Sequence, residues 1–101
     1  MALAQVGTWR AVPGRYAEFI EVCKQAQKIN ERLGAQVRIW QTQVGDNVGT
    51  VTYVTQHADG GAYGQFIDKI NADNEWQQLV ASFQRDPLAE QVQSSLLQEL
   101  P

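Results

Sequence analysis

The period of hydrophobic positions switches between two and about 3.6 along this chain, and each switch marks an element. From Leu3 to Val12, the residues Val6, Thr8, Arg10 and Val12 alternate with Gln5, Gly7, Trp9 and Ala11, which predicts a strand. Pro13-Gly14 ends it. Proline lacks the N–H that a sheet ladder needs but suits a helix entry, so the pair reads as a strand-to-helix turn. Between Arg15 and Leu33, the residues Tyr16, Phe19, Ile20, Cys23, Ala26 and Leu33 form an apolar stripe at helical spacing, with Val22 and Ile29 at its margin. Glu18 and Glu21 come early and Lys24, Lys28 and Arg32 late, the order that the helix dipole favours, and Gly34 supplies the left-handed residue that closes a helix.

Alternation resumes from Ala35 to Val44, where Val37, Ile39 and Gln41 oppose Gln36, Arg38, Trp40 and Thr42. Gly45-Asp46-Asn47 brings turn chemistry, and Gly49 to His57 is dense in β-branched residues, so the two segments predict an antiparallel hairpin. Asp59 is placed to cap a helix running to about Ala72, with Tyr63, Phe66, Ile67 and Ile70 as its buried stripe. Asp73 caps a further helical stretch carrying Trp76, Leu79, Val80 and Phe83, which Asp86-Pro87 interrupts. The tail from Val92 to Leu100 is expected to return as a last strand, although its alternation is poor.

The resulting β-α-β-β-α-β order predicts an α+β, ferredoxin-like domain over residues 1–101, a four-stranded antiparallel sheet with helices on one face. That arrangement leaves the second sheet face without cover. Yet both rows of the third strand carry substantial side chains, with Val51, Tyr53 and His57 on one and Thr52, Val54 and Gln56 on the other. A sheet face bathed in water shows a cleaner split, so a second copy of the chain is the expected cover.

Composition narrows the partners. A net charge of -3 disfavours nucleic acid, which calls for a concentrated basic face, and no apolar run is long enough to cross a membrane as a helix. Cys23 has no partner for an internal disulfide, and no Cys/His set has zinc-site spacing, so neither metal nor cofactor is expected. The start lacks the basic and apolar regions of a signal peptide, which fits a cytoplasmic protein.

The run Trp9-Arg10-Ala11-Val12-Pro13-Gly14-Arg15-Tyr16, followed by Glu18-Phe19, resembles the opening of dimeric α+β barrel proteins, nearest the NIPSNAP-like group and next the antibiotic-biosynthesis monooxygenases. The Gly34 break, the Gly45-Asp46-Asn47 hairpin and Glu75-Trp76 match their habits too. The resemblance implies two subunits packed sheet against sheet into a barrel, each with a pocket between its sheet and helices. It does not select an activity, because cofactor-independent monooxygenases, isomerases, polyketide cyclases and haem enzymes share the fold.

Candidate chemistry is sparse. His57 is the only histidine and so the only side chain whose unperturbed pKa suits acid–base work near neutrality; as a strand-end residue without a paired acid it reads first as a bystander. Its strand position also differs from the helical histidine that the haem members use. Trp9, Trp40, Tyr53, Tyr63 and Trp76 are candidates to wall a site for a flat organic ligand, with packing the favoured role for Trp76. Arg38, two residues from Trp40, could meet an anionic group or simply face solvent. Cys23 reads as an inert packed thiol, and Gly60-Gly61-x-x-Gly64 as a helix entry without phosphate chemistry. The expectation is therefore a homodimer binding a small apolar or aromatic molecule at Trp9, Arg38, Trp40, Tyr53 and His57. The alternative is a cofactor-independent monooxygenase or cyclase acting on an aromatic substrate.

Overall fold

The alternating segments become strands in the computed structural model, which describes residues 1–101. They are β1 (Leu3–Ala11), β2 (Gln36–Gln41), β3 (Val51–His57) and β4 (Ala89–Gln98). The helical stretches are α1 (Tyr16–Arg32), α2 (Gly60–Ala72) and α3 (Asn74–Arg85), so the division expected at Asp73 is present and the order has one helix more than β-α-β-β-α-β counts. The strands form an antiparallel sheet in the order β2-β3-β1-β4, the ferredoxin-like arrangement.

Local chemistry sets the boundaries. Asp59 accepts a hydrogen bond from Ala62 N at 2.8 Å and starts α2; Asp73 accepts from Trp76 N at 2.9 Å and starts α3. Each carboxylate satisfies an N–H that the first helical turn leaves bare. Gly34 takes φ +106° after α1. The hairpin connection is longer than expected. It spans the residues after Gln41 up to Val51, and Gly45, Asn47 and Gly49 all have positive φ.

The last strand begins three residues before the expected Val92 and ends before Leu100. Its pairing with β1 shifts register between Thr8 and Trp9, where Thr8 pairs with Gln93 and Trp9 with Gln91, leaving Val92 as the extra residue. A bulge of this kind breaks the period-two signal, which is why the tail alternates poorly.

Register assigns the faces. Trp9 pairs with Val51, Gly7 with Tyr53, and Ile39 with Tyr53, so these side chains share the face under the helices. Their core has two parts. One gathers Phe19, Cys23, Val51, Leu88 and Ala89; the other gathers Ile29, Ala35, Val37, Phe66 and Ile70. Ile39 and Tyr53 pack against both. Ile29, expected at the margin of the α1 stripe, is buried in the core, while Tyr16 is exposed. On the opposite face Val6, Thr8, Val54, Thr52, Arg38 and Trp40 have no helix above them, and Trp40 is 62% exposed.

Candidate functional site

Between the two core clusters lies a cavity of about 280 Å³, lined by ten hydrophobic residues and Gln84. β1 contributes Trp9 and β3 contributes Tyr53. α1 contributes Phe19, Cys23 and Ala26 among others, and α3 closes the space with Trp76, Leu79, Val80 and Phe83. The sequence explains the void. The α3 stripe is strongly apolar, yet no residue of that helix is fully buried, because the stripe spans the cavity instead of a filled core.

Aromatic contacts shape one end. Trp9 and Phe83 meet edge to face at 5.7 Å between ring centroids, and Phe19 lies 6.1 Å from Trp9 and 6.4 Å from Phe83. Gly7 makes room for this: a Cβ there would stand 3.2 Å from Trp9 Nε1 and 3.0 Å from Gln91 Nε2.

One buried polar pair adjoins the cavity. Asn30 Nδ2 donates to the Tyr53 hydroxyl at 2.7 Å. Asn30 is 3% exposed, and its Oδ1 has no hydrogen-bond partner. It stands one helical turn beyond Ala26, on the stripe that lines the cavity. Burial pushes the Tyr53 phenol well above its usual pKa, and pushes the Cys23 thiol up to about 11, so both stay protonated at neutral pH. The cavity wall therefore offers hydrogen bonds and no group that titrates near neutrality.

The five residues expected to share one pocket are divided. Trp9 and Tyr53 are together on the cavity wall. Trp40 and Arg38 alternate with Ile39 and so stand on the opposite sheet face, where they cannot reach it. Arg38 Nη1 donates to Val37 O at 3.1 Å. His57 shares the Tyr53 face but lies four residues along β3, about 13 Å away at strand spacing. It is packed under α2, with ring centroids 5.1 Å from Tyr63 and 4.8 Å from Phe66. Its Nε2 shares a 3.2 Å hydrogen bond with Thr55 Oγ1, and it borders a separate recess beside Gln36, Gln56 and Ala62. Trp76, for which packing was the favoured role, lines the cavity, as do Phe19, Leu79 and Phe83. The signal was the α1 stripe for Phe19 and the α3 stripe for the other three, and a stripe reads identically whether it covers a core or a void. Nothing in the sequence distinguished Asn30. No group of three or more His, Cys, Asp or Glu side chains comes together as a metal site.

Burial lowers the His57 pKa, since its surroundings disfavour the imidazolium. The unfolded chain then takes the proton first, at about pH 6.5. Stability is retained above that pH and declines as pH falls from there through the folded-state value. His57→Gln is expected to flatten the decline in melting temperature between about pH 7 and pH 5. An unchanged slope would assign the sensitivity to another group.

The NIPSNAP family model matches residues 4–101. An uncharacterized NIPSNAP domain protein from Burkholderia xenovorans is similar in structure at TM-score 0.74 and 20% identity, over 97% of this chain and 94% of that one. A NIPSNAP family protein from Agrobacterium tumefaciens str. C58 is similar at TM-score 0.78 and 17% identity, over 98% and 86%. A single-site mutant of SnoaB, a cofactor-independent oxygenase from Streptomyces nogalater, is similar at TM-score 0.68 and 14% identity, over 97% and 92%. At such identities these likenesses establish the fold alone. No curated protein matches the sequence.

Proposed function

The chain belongs to the NIPSNAP family, and from that premise we propose that it acts as a homodimer holding a small, uncharged, largely apolar molecule between its sheet and its helices. The observation that carries the reading is the cavity of about 280 Å³ with a hydrophobic wall. Ligand pockets start near about 300 Å³, so the volume suits a compound of one or two rings. A charged ligand is disfavoured, because no side chain of the wall would compensate its desolvation. The dimer is supported by the open sheet face and by exposed Trp40 and Leu97 on it. The unpaired, buried Cys23 fits a reducing compartment such as the cytoplasm.

The test is titration with 2-methylnaphthalene, followed by tryptophan fluorescence. Trp9 and Trp76 both line the cavity and report its filling, while Trp40 on the other face adds a constant background. Ala26→Leu adds carbon to a wall position on α1, and is expected to weaken binding at least about tenfold with an unchanged or higher melting temperature. Full-strength binding in that variant would place the probe elsewhere.

A second reading, a cofactor-independent oxygenase or cyclase, has one observation in its favour: the Asn30–Tyr53 hydrogen bond beside an aromatic cavity, in a fold shared with SnoaB. Against it, the wall offers no base to ionise a substrate at neutral pH. Binding is the stronger reading. Oxygen uptake with a hydroquinone as substrate, if lost in Tyr53→Phe, would reverse that order.

A further inference from the structure

We propose that Asn30 holds Tyr53 as a hydrogen-bond donor toward the cavity, and that the bound molecule carries a carbonyl-type oxygen which accepts from it. This rests on the cavity being a binding site and goes on to name the chemical class of its occupant.

The argument starts from an oddity. Asn30 occupies an inward position of α1, where its neighbours along the stripe are Cys23, Ala26 and Ile29. A carboxamide there leaves its Oδ1 buried and unpartnered, a cost that an apolar residue would avoid. For the fold alone, a leucine beside a phenylalanine would serve better, since replacing both members of a buried polar pair by apolar groups of similar shape is close to neutral or stabilising. The pair therefore has a use beyond packing. Its one hydrogen bond runs from Asn30 Nδ2 to the Tyr53 oxygen. With that oxygen engaged as an acceptor from Asn30, its one hydrogen bond within the chain, the phenolic proton is free to donate. Tyr53 belongs to the cavity wall, which is otherwise almost wholly hydrophobic. A ketone, aldehyde or quinone oxygen on an aromatic frame would accept that proton, with its rings against Trp9 and Phe83. Burial keeps the phenol protonated over the whole physiological range, so the donor is always present.

The experiment compares 2-acetylnaphthalene with 2-isopropenylnaphthalene by isothermal titration. The two share a shape and differ in a C=O against a C=CH₂. The intact protein is expected to prefer the ketone by about tenfold, the equivalent of about 1.4 kcal/mol. Tyr53→Phe is expected to bring the two affinities together without weakening the alkene. Asn30→Leu combined with Tyr53→Phe is expected to do the same while melting at or above the temperature of the unaltered protein, which separates a role in binding from a role in folding. Equal affinities in the unaltered protein, or a ketone preference that survives Tyr53→Phe, would overturn the inference and leave the binding cavity standing. If neither compound binds, the cavity reading falls and this inference falls with it.

Discussion

Val54→Arg is expected to turn a particle of about twice 11.3 kDa into one of 11.3 kDa by light scattering at micromolar concentration. Val54 lies on an inner strand of the open sheet face, between Val6 of β1 and Arg38 of β2. It is only partly buried within its own chain, so the substitution spares the protomer's core. The face is large enough to matter. Four strands about 4.8 Å apart, averaging about eight residues at about 3.3 Å each, give a flat area of about 500 Å², before side-chain relief is added. A standard interface buries about 800 Å² per partner. In a sheet-to-sheet dimer, arginine at Val54 would add a like charge from each copy beside the Arg38 that each already presents on this face, at a cost of several kcal/mol. The melting temperature of the unaltered protein should also rise with its concentration, as mass action requires. A monomer before any substitution, or a dimer indifferent to Val54→Arg, would remove the open face as the interface.

Phe19→Ala has the largest effect expected on folding. Phe19 is 3% exposed and sits in the core cluster with Cys23, Val51 and Leu88, against the rings of Trp9 and Phe83. Truncating a buried phenylalanine costs about 3–5 kcal/mol, and domains of this kind have about 5–15 kcal/mol in total. The void would also join the existing cavity and release Trp9 from one of its two aromatic neighbours. Urea denaturation should therefore show a midpoint shifted far down, and the naphthalene probes should bind more weakly at temperatures where the variant is still folded. A loss below about 1 kcal/mol would mean that the first turns of α1 are not packed on the sheet as described.

The order of elements and the fold were legible in the sequence because their causes are local. Period-two alternation placed β1 and β2, the density of β-branched residues placed β3, the apolar stripe placed α1, and Asp59 and Asp73 marked helix starts as caps that the structure bears out. The tail was legible only as a doubtful strand, since the extra residue Val92 disrupts its alternation and a bulge exists only relative to a partner strand. The candidate site was half legible. Period two says that Tyr53 and His57 share a face and that Trp40 opposes Ile39, but not which face the helices cover, nor how far apart two residues of one row stand from a ligand. Register supplied that: Trp9 came beside Tyr53, Trp40 and Arg38 went to the open face, and His57 went beneath α2. Asn30 and the α3 wall were legible least. A polar residue in an apolar stripe and a stripe that spans a void look like ordinary surface and ordinary core until three helices and a sheet are packed together. Hydrophobic patterning determined what must be buried. The volume left over, and the one polar pair beside it, were decided only by how the elements meet.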